Sequence, residues 1–312
     1  MPSLPQLIRG VVPPLVTPLK SRDELDANGL ERLIEHQIAA GVAGLFILGT
    51  TGEGPSLSYR LRYELVERTC ELTAGRVPVL VGVTDTSLTE ALEFAQYSEG
   101  AGATAAVATP PYYFPAGQQE VASFLTALAD ECALPLFVYN MPSCVKLSLS
   151  FETMEQLARH PRICGVKDSA GDLPAFRELL KLKSVRPDWT ILIGPELLTA
   201  EAVLMGADGG VNGGANLHPR LFVDFFHAAV RRDHPEINRL KAIAEQLSRL
   251  YLVAGDGASG YLRGLKCALS IVGLCQDQLA APFQGVSASE RSSIAAIVQE
   301  LGLGTAGLVA RL

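Results

Sequence analysis

The sequence carries little charge, and none of it in runs. Asp, Glu, Lys and Arg make up 19% of the 312 residues, and the net charge is −7. No basic tract or basic-aromatic stripe is present, which argues against a nucleic-acid surface. Long apolar runs are missing too. The longest uncharged stretch, residues 100–119, is broken by Gly and Pro and does not read as a membrane helix. Met1-Pro2-Ser3-Leu4-Pro5 lacks a basic region followed by an apolar core, so no signal peptide is expected. The six cysteines (Cys70, Cys132, Cys144, Cys164, Cys267, Cys275) form no Cys-x-x-Cys pair. A reduced, cytoplasmic chain is expected. The five histidines show no metal-ligand spacing, so no metal site is expected.

What is present is apolar and periodic. Hydrophobic residues make up 48% of the chain. Apolar runs at residues 11–19, 44–48, 77–83, 103–109, 136–138, 163–166, 190–193 and 209–211 read as strands buried on both faces. An amphipathic segment follows each run. Asn28 with Glu31, and Ser87 with Glu90, read as capping boxes that open two of these helices. Eight such units imply a closed (β/α)8 TIM barrel over residues 1–232. An open doubly wound sheet is the weaker alternative, because no Gly-x-Gly-x-x-Gly follows the first strand. Residues 233–312 read as a helical extension, with helices at 235–253, 261–272 and 287–301 packed on the barrel or used in a subunit contact.

In a barrel of this type the chemistry sits at the carboxyl ends of the strands. The polar residues there are Thr50, Thr51, Tyr112, Tyr113, Tyr139, Lys167, Glu196 and Asn212. Lys167 ends the apolar run Ile163-Cys164-Gly165-Val166, whereas every other lysine falls in a turn or on a helical segment. A buried lysine costs free energy unless it is paired or its pKa falls. An amine with a depressed pKa can attack a carbonyl and form a Schiff base. The plainer reading is a structural lysine paired with Asp168. Gly49-Thr50-Thr51-Gly52-Glu53 offers hydroxyls and amides for a carboxylate, or else a capped tight turn. Tyr139 is a candidate proton shuttle, or a core tyrosine with a satisfied hydroxyl. Asn212-Gly213-Gly214 suits a phosphate or close packing at barrel closure, and packing is favoured. Glu53 reads as the anchor of its own loop. Cys144 reads as an unreactive thiol.

Together these residues resemble the dihydrodipicolinate synthase / N-acetylneuraminate lyase family of Schiff-base aldolases. The marks are Val16-Thr17-Pro18, Gly49-Thr50-Thr51-Gly52-Glu53, Thr109-Pro110-Pro111-Tyr112-Tyr113, Tyr139-Asn140-Met141-Pro142-Ser143 and Gly165-Val166-Lys167-Asp168-Ser169. They run in order along the chain, and the likeness extends from Gly10 to about Leu301. The resemblance implies a lyase in which Lys167 condenses with pyruvate or another 2-oxo acid. Thr51, with Gly49, would hold the carboxylate, and Val211 would touch the keto acid through its backbone. Tyr139 would be the general acid/base, with Thr50 and Tyr113 extending a proton relay. Tyr113 would come from a neighbouring subunit of a homotetramer. No cofactor beyond the lysine imine is implied; the partners would be a 2-oxo acid and an aldehyde.

One position departs from the pattern. Lysine-biosynthetic members carry an arginine just after the Tyr-Asn-x-Pro-Ser motif, and here that position is Cys144. A thiol cannot make the bidentate carboxylate contact of a guanidinium. The expected substrate is therefore a sugar-derived 2-oxo-3-deoxy acid, cleaved, condensed or dehydrated. The alternative is 4-hydroxy-tetrahydrodipicolinate synthesis despite Cys144. A keto-acid sensor is the alternative of another class, disfavoured because a binder does not need both the lysine and the phenol. A metal-dependent aldolase is disfavoured by the lack of a histidine-carboxylate cluster in the sequence.

Overall fold

The computed structural model describes residues 8–255 and 258–303. Eight parallel strands form one sheet: β1 (Gly10–Val11), β2 (Leu45–Ile47), β3 (Val79–Gly82), β4 (Ala105–Ala108), β5 (Leu136–Asn140), β6 (Ile163–Asp168), β7 (Thr190–Ile193) and β8 (Gly209–Gly210). Their order is β1-β8-β7-β6-β5-β4-β3-β2. A bridge between Pro14 and Phe46 closes the ring. There Leu15 N–H donates to the Phe46 carbonyl at 2.8 Å, and Phe46 N–H donates to the Pro13 carbonyl at 3.0 Å. The fold is a (β/α)8 TIM barrel with helices following the strands.

The first strand is far shorter than its apolar run suggests. Pro13, Pro14 and Pro18 have no N–H to give a ladder, so regular pairing stops at Val11. Leu19–Ser21 instead pairs antiparallel with Glu24–Leu25. Asn28 is not the cap of the first helix, α1 (Ala27–Ala39). The buried Asp26 carboxylate caps it by accepting the Gly29 N–H at 3.0 Å. Ser87 does cap α3 (Leu88–Gly100), as its Oγ accepts the Glu90 N–H.

The other helices of the barrel are α2 (Tyr59–Thr73), α4 (Gln118–Glu131), α5 (Pro142–Val145), α6 (Phe151–Ala158), α7 (Leu173–Leu180), α8 (Thr199–Met205) and α9 (Pro219–Arg231). After them come α10 (His234–Val253), α11 (Ala258–Ile271) and α12 (Ala288–Glu300). Leu247 of α10 and Phe222 of α9 meet over Gly214, which fixes α10 to the loop after β8. No helix among the described residues is long and apolar enough to cross a membrane.

The strands face two separate cores because strand side chains alternate. Leu45, Ile47, Val79, Val81, Leu136, Val138 and Val166 join the layer beneath the helices. Phe46, Leu80, Val107, Phe137, Tyr139, Leu192 and Val211 fill the barrel interior. Fully burying one such side chain is worth about 1.5–3 kcal/mol. That interior layer is the floor on which the site stands.

Candidate active site

Strict alternation from Ile163, which faces the helices, would turn residue 167 the same way. A bulge changes the phase. Leu136 pairs with Ile163, but Phe137 pairs with Gly165, so Cys164 is the extra residue. Beyond it Val166 faces outward and Lys167 faces the interior. Gly165 makes room for this arrangement. A β-carbon there would collide with the Thr190 carbonyl and lie 2.6 Å from the Phe137 ring. The Trp189 indole, fully buried, donates to the Ile163 carbonyl at 2.8 Å and holds the start of the strand.

Lys167 is 6% exposed and pairs in register with Tyr139 on one side and Leu192 on the other. Its ammonium lies 4.0 Å from the Tyr139 ring centroid and 4.9 Å from that of Phe46. Such contacts are worth about 0.5–2 kcal/mol. Lys183 and Lys266 lie 2.6 Å from Asp208 and 2.5 Å from Glu53. Lys167 has no such ion pair among the described residues. Asp168 is not its partner. That side chain is on the opposite face, accepting from Asn140 Nδ2 at 2.6 Å and from the Ala170 N–H at 3.2 Å. Burial raises the Asp168 carboxyl above its ordinary range, against those two bonds. No carboxylate therefore has to be displaced when a carbonyl approaches the Lys167 amine.

Thr50 and Thr51, on the loop after β2, each reach a phenol. Thr50 Oγ1 is 3.3 Å from the Tyr139 hydroxyl. Thr51 Oγ1 is 3.1 Å from the Tyr261 hydroxyl. Gly49 packs on the Phe46 ring and accepts the Gly54 N–H at 3.2 Å. Val211 is buried and lines the same small cavity as Lys167, with its N–H committed to the Ile193 carbonyl at 2.8 Å. Tyr113 is not brought to Lys167 within this chain. It is 77% exposed, with its ring against Phe114. Cys144 is exposed on α5, and the neighbouring Lys146 ammonium donates to the Ser143 carbonyl at 2.7 Å.

The far wall comes from the end of β7 and from the C-terminal helices. Glu196 accepts from the Gly214 N–H at 2.7 Å and the Tyr251 hydroxyl at 3.0 Å. Burial raises its carboxyl above the ordinary range, although both bonds oppose the shift. Burial and the nearby Glu196 push the phenols of Tyr251 and Tyr261 upward. The Asn212-Gly213-Gly214 turn has no free space for a phosphate. Tyr261 fills the place of a Gly213 side chain, Gly214 N–H is used by Glu196, and Asn212 Nδ2 donates to Thr199 at 2.8 Å.

Sequence reasoning missed Tyr261, Tyr251 and Lys266. All three lie on helices after the barrel, and no local motif marks them. Glu53 was expected to anchor its own loop; the groups it is tied to, Lys266 and the Ala280 N–H at 2.7 Å, lie far along the chain.

The site thus joins an amine with no counter-ion among the described residues, a phenol beside it and a hydroxyl loop, all on an apolar floor. Comparisons with known proteins agree with one another. The Dihydrodipicolinate synthetase family pattern matches residues 7–301. A 4-hydroxy-tetrahydrodipicolinate synthase of Cereibacter sphaeroides is 35% identical over 95% of this chain and 100% of its own length. The dihydrodipicolinate synthase structure from Bacteroides thetaiotaomicron superposes with a TM-score of 0.91 at 45% identity, covering 95% of this chain and 99% of that one. A prophage protein of the same family from E. coli K12, in complex with pyruvate, superposes at 0.89 with 25% identity over 96% of this chain and 100% of its own. A match over nearly the whole length, on a barrel with this lysine, leaves one conclusion: the chain belongs to the dihydrodipicolinate synthetase family and is a lyase of the Schiff-base aldolase type.

Proposed function

We propose that Lys167 forms an imine with pyruvate and that the enzyme makes or breaks a carbon-carbon bond at the adjacent carbon. The observation that carries this is a buried amine with aromatic faces around it and no anionic partner among the described residues. The amine adds to the ketone and water leaves. The protonated imine is an electron sink, so a proton can leave the neighbouring methyl to give an enamine. That carbon then attacks an aldehyde, and water releases the product and restores the amine. Tyr139 would carry the proton between these stages, with Thr50 at 3.3 Å as its relay. Thr51 and Gly49 would hold the pyruvate carboxylate, and the Val211 carbonyl would face the bound acid. Tyr113 would act in a neighbouring subunit of a homotetramer, which its exposed ring supports. No cofactor enters this scheme.

The names of the relatives favour aspartate semialdehyde as the aldehyde, giving 4-hydroxy-tetrahydrodipicolinate. Cys144 favours a second reading, a sugar-derived 2-oxo-3-deoxy acid, because nothing at that position can grip a second carboxylate. The test is turnover with pyruvate plus aspartate semialdehyde, set against cleavage of 2-oxo-3-deoxy sugar acids. Faster turnover of the semialdehyde establishes the first reading, and pyruvate release from the sugar acid establishes the second. On either reading Cys144→Ala changes turnover little; complete loss would place that thiol in the chemistry.

A further inference from the structure

Helix α11 meets the threonine loop at two points. Lys266 Nζ lies 2.5 Å from Glu53 Oε1, and both side chains are fully buried. The second Glu53 oxygen accepts the Ala280 N–H at 2.7 Å, and the ammonium donates to the Gln278 carbonyl at 2.7 Å. Tyr261, on the same helix, reaches Thr51 at 3.1 Å.

The loop between them does not hold its shape by local preference. Glu53 has φ 56° and Leu48 has φ 60°, a left-handed backbone that disfavours residues other than glycine. The Thr17 hydroxyl, which donates to the Gly52 carbonyl at 2.6 Å, is one restraint from outside the loop. The buried pair is another, and it is costly as a device for stability alone. Desolvating two charges offsets most of their attraction, and apolar side chains of similar volume avoid that cost. What the pair supplies is direction. It fixes one end of a five-residue segment whose two threonine hydroxyls must sit within hydrogen-bond reach of Tyr139 and of a bound carboxylate.

We propose that α11 is part of the active site: Glu53, Lys266 and Tyr261 are positioning residues that set Thr50 and Thr51. This rests on the reading of Lys167 as the imine-forming lysine and Thr51 as the carboxylate ligand. On it, loosening the pair moves Thr50 off Tyr139 and weakens the hold on pyruvate, while the lysine itself stays in place on β6.

The experiment compares the wild type with Glu53→Gln and Tyr261→Phe. Each is titrated with pyruvate, reduced with borohydride and read by intact mass; turnover and melting temperature are measured alongside. The wild type is expected to give the adduct. Glu53→Gln is expected to raise the half-saturating pyruvate concentration and lower kcat, each about tenfold, as displaced reacting groups do. Tyr261→Phe removes one oxygen from an intact ring. It is expected to raise half-saturation about fivefold, the worth of one hydrogen bond, with the melting temperature lowered by only a few degrees. A fall in melting temperature alone, with both kinetic values unchanged while the variant is folded, overturns the proposal. If Glu53→Gln does not fold, Tyr261→Phe decides, and an unshifted half-saturation there overturns it. No adduct on the wild type removes the imine reading and this inference together. An adduct on the wild type with both variants unshifted removes this inference alone.

Discussion

At the scale of single residues, Lys167 and Glu196 show how burial divides the chemistry. The lysine sits among rings, with no carboxylate partner among the described residues. The carboxyl of Glu196 accepts two hydrogen bonds that lower its pKa, but burial is the larger influence and raises it. The folded state therefore holds the Glu196 proton more tightly than the unfolded state. That contribution to stability is fully present below the ordinary glutamate value of about 4.3 and is lost as pH rises through the folded value. Glu196→Gln removes it. The melting temperature of the wild type relative to Glu196→Gln is expected to fall as pH rises from acid toward neutrality. A difference independent of pH contradicts the assignment. The grouping of Lys167, Tyr139 and Thr50 was legible in the sequence because each closes or follows an apolar run, where a polar side chain needs a reason. Glu53 was legible as the anchor of its loop, but not what it is anchored to. Its partner, Lys266, is a helical lysine like several others until the fold buries it.

At the scale of elements, each of the eight strands overlaps an apolar run of the sequence, and their pairing follows from barrel geometry. The two at the seam are the shortest. β1 is cut short by prolines and β8 is a pair of glycines packed against Gly10. Register carries a feature that no periodicity reveals: the extra residue Cys164, which turns Lys167 inward. Helix starts are read only to within a residue or two, and α1 is the clear case. Asn28 and Glu31 have the spacing of a capping box, but Asp26, two residues earlier, is buried and takes the Gly29 N–H. Asp26→Ala is expected to destabilise the fold by about 1–2 kcal/mol, the usual cost of a lost cap. Urea unfolding measures it. An equal loss on Asn28→Ala, with Asp26→Ala silent, contradicts the placement.

At the scale of the whole molecule, the barrel supplies the lysine, the phenol and the threonine loop, and the helices after it supply the far wall. Tyr251, Tyr261 and Lys266 all lie beyond the eighth strand, so the site is completed from outside the repeating β/α units. The exposed rings of Tyr113 and Phe114 pack edge to face on the loop after β4. Everything about function rests on one claim, that the Lys167 amine attacks a ketone. The most direct measurement is borohydride trapping with pyruvate, followed by intact mass and peptide mapping, on the wild type and on Lys167→Ala. The account predicts a reduced pyruvyl adduct on Lys167 in the wild type. It predicts no adduct and no turnover in a folded Lys167→Ala variant. A folded wild type that gives no adduct in excess pyruvate, or a Lys167→Ala variant with substantial turnover, would contradict it.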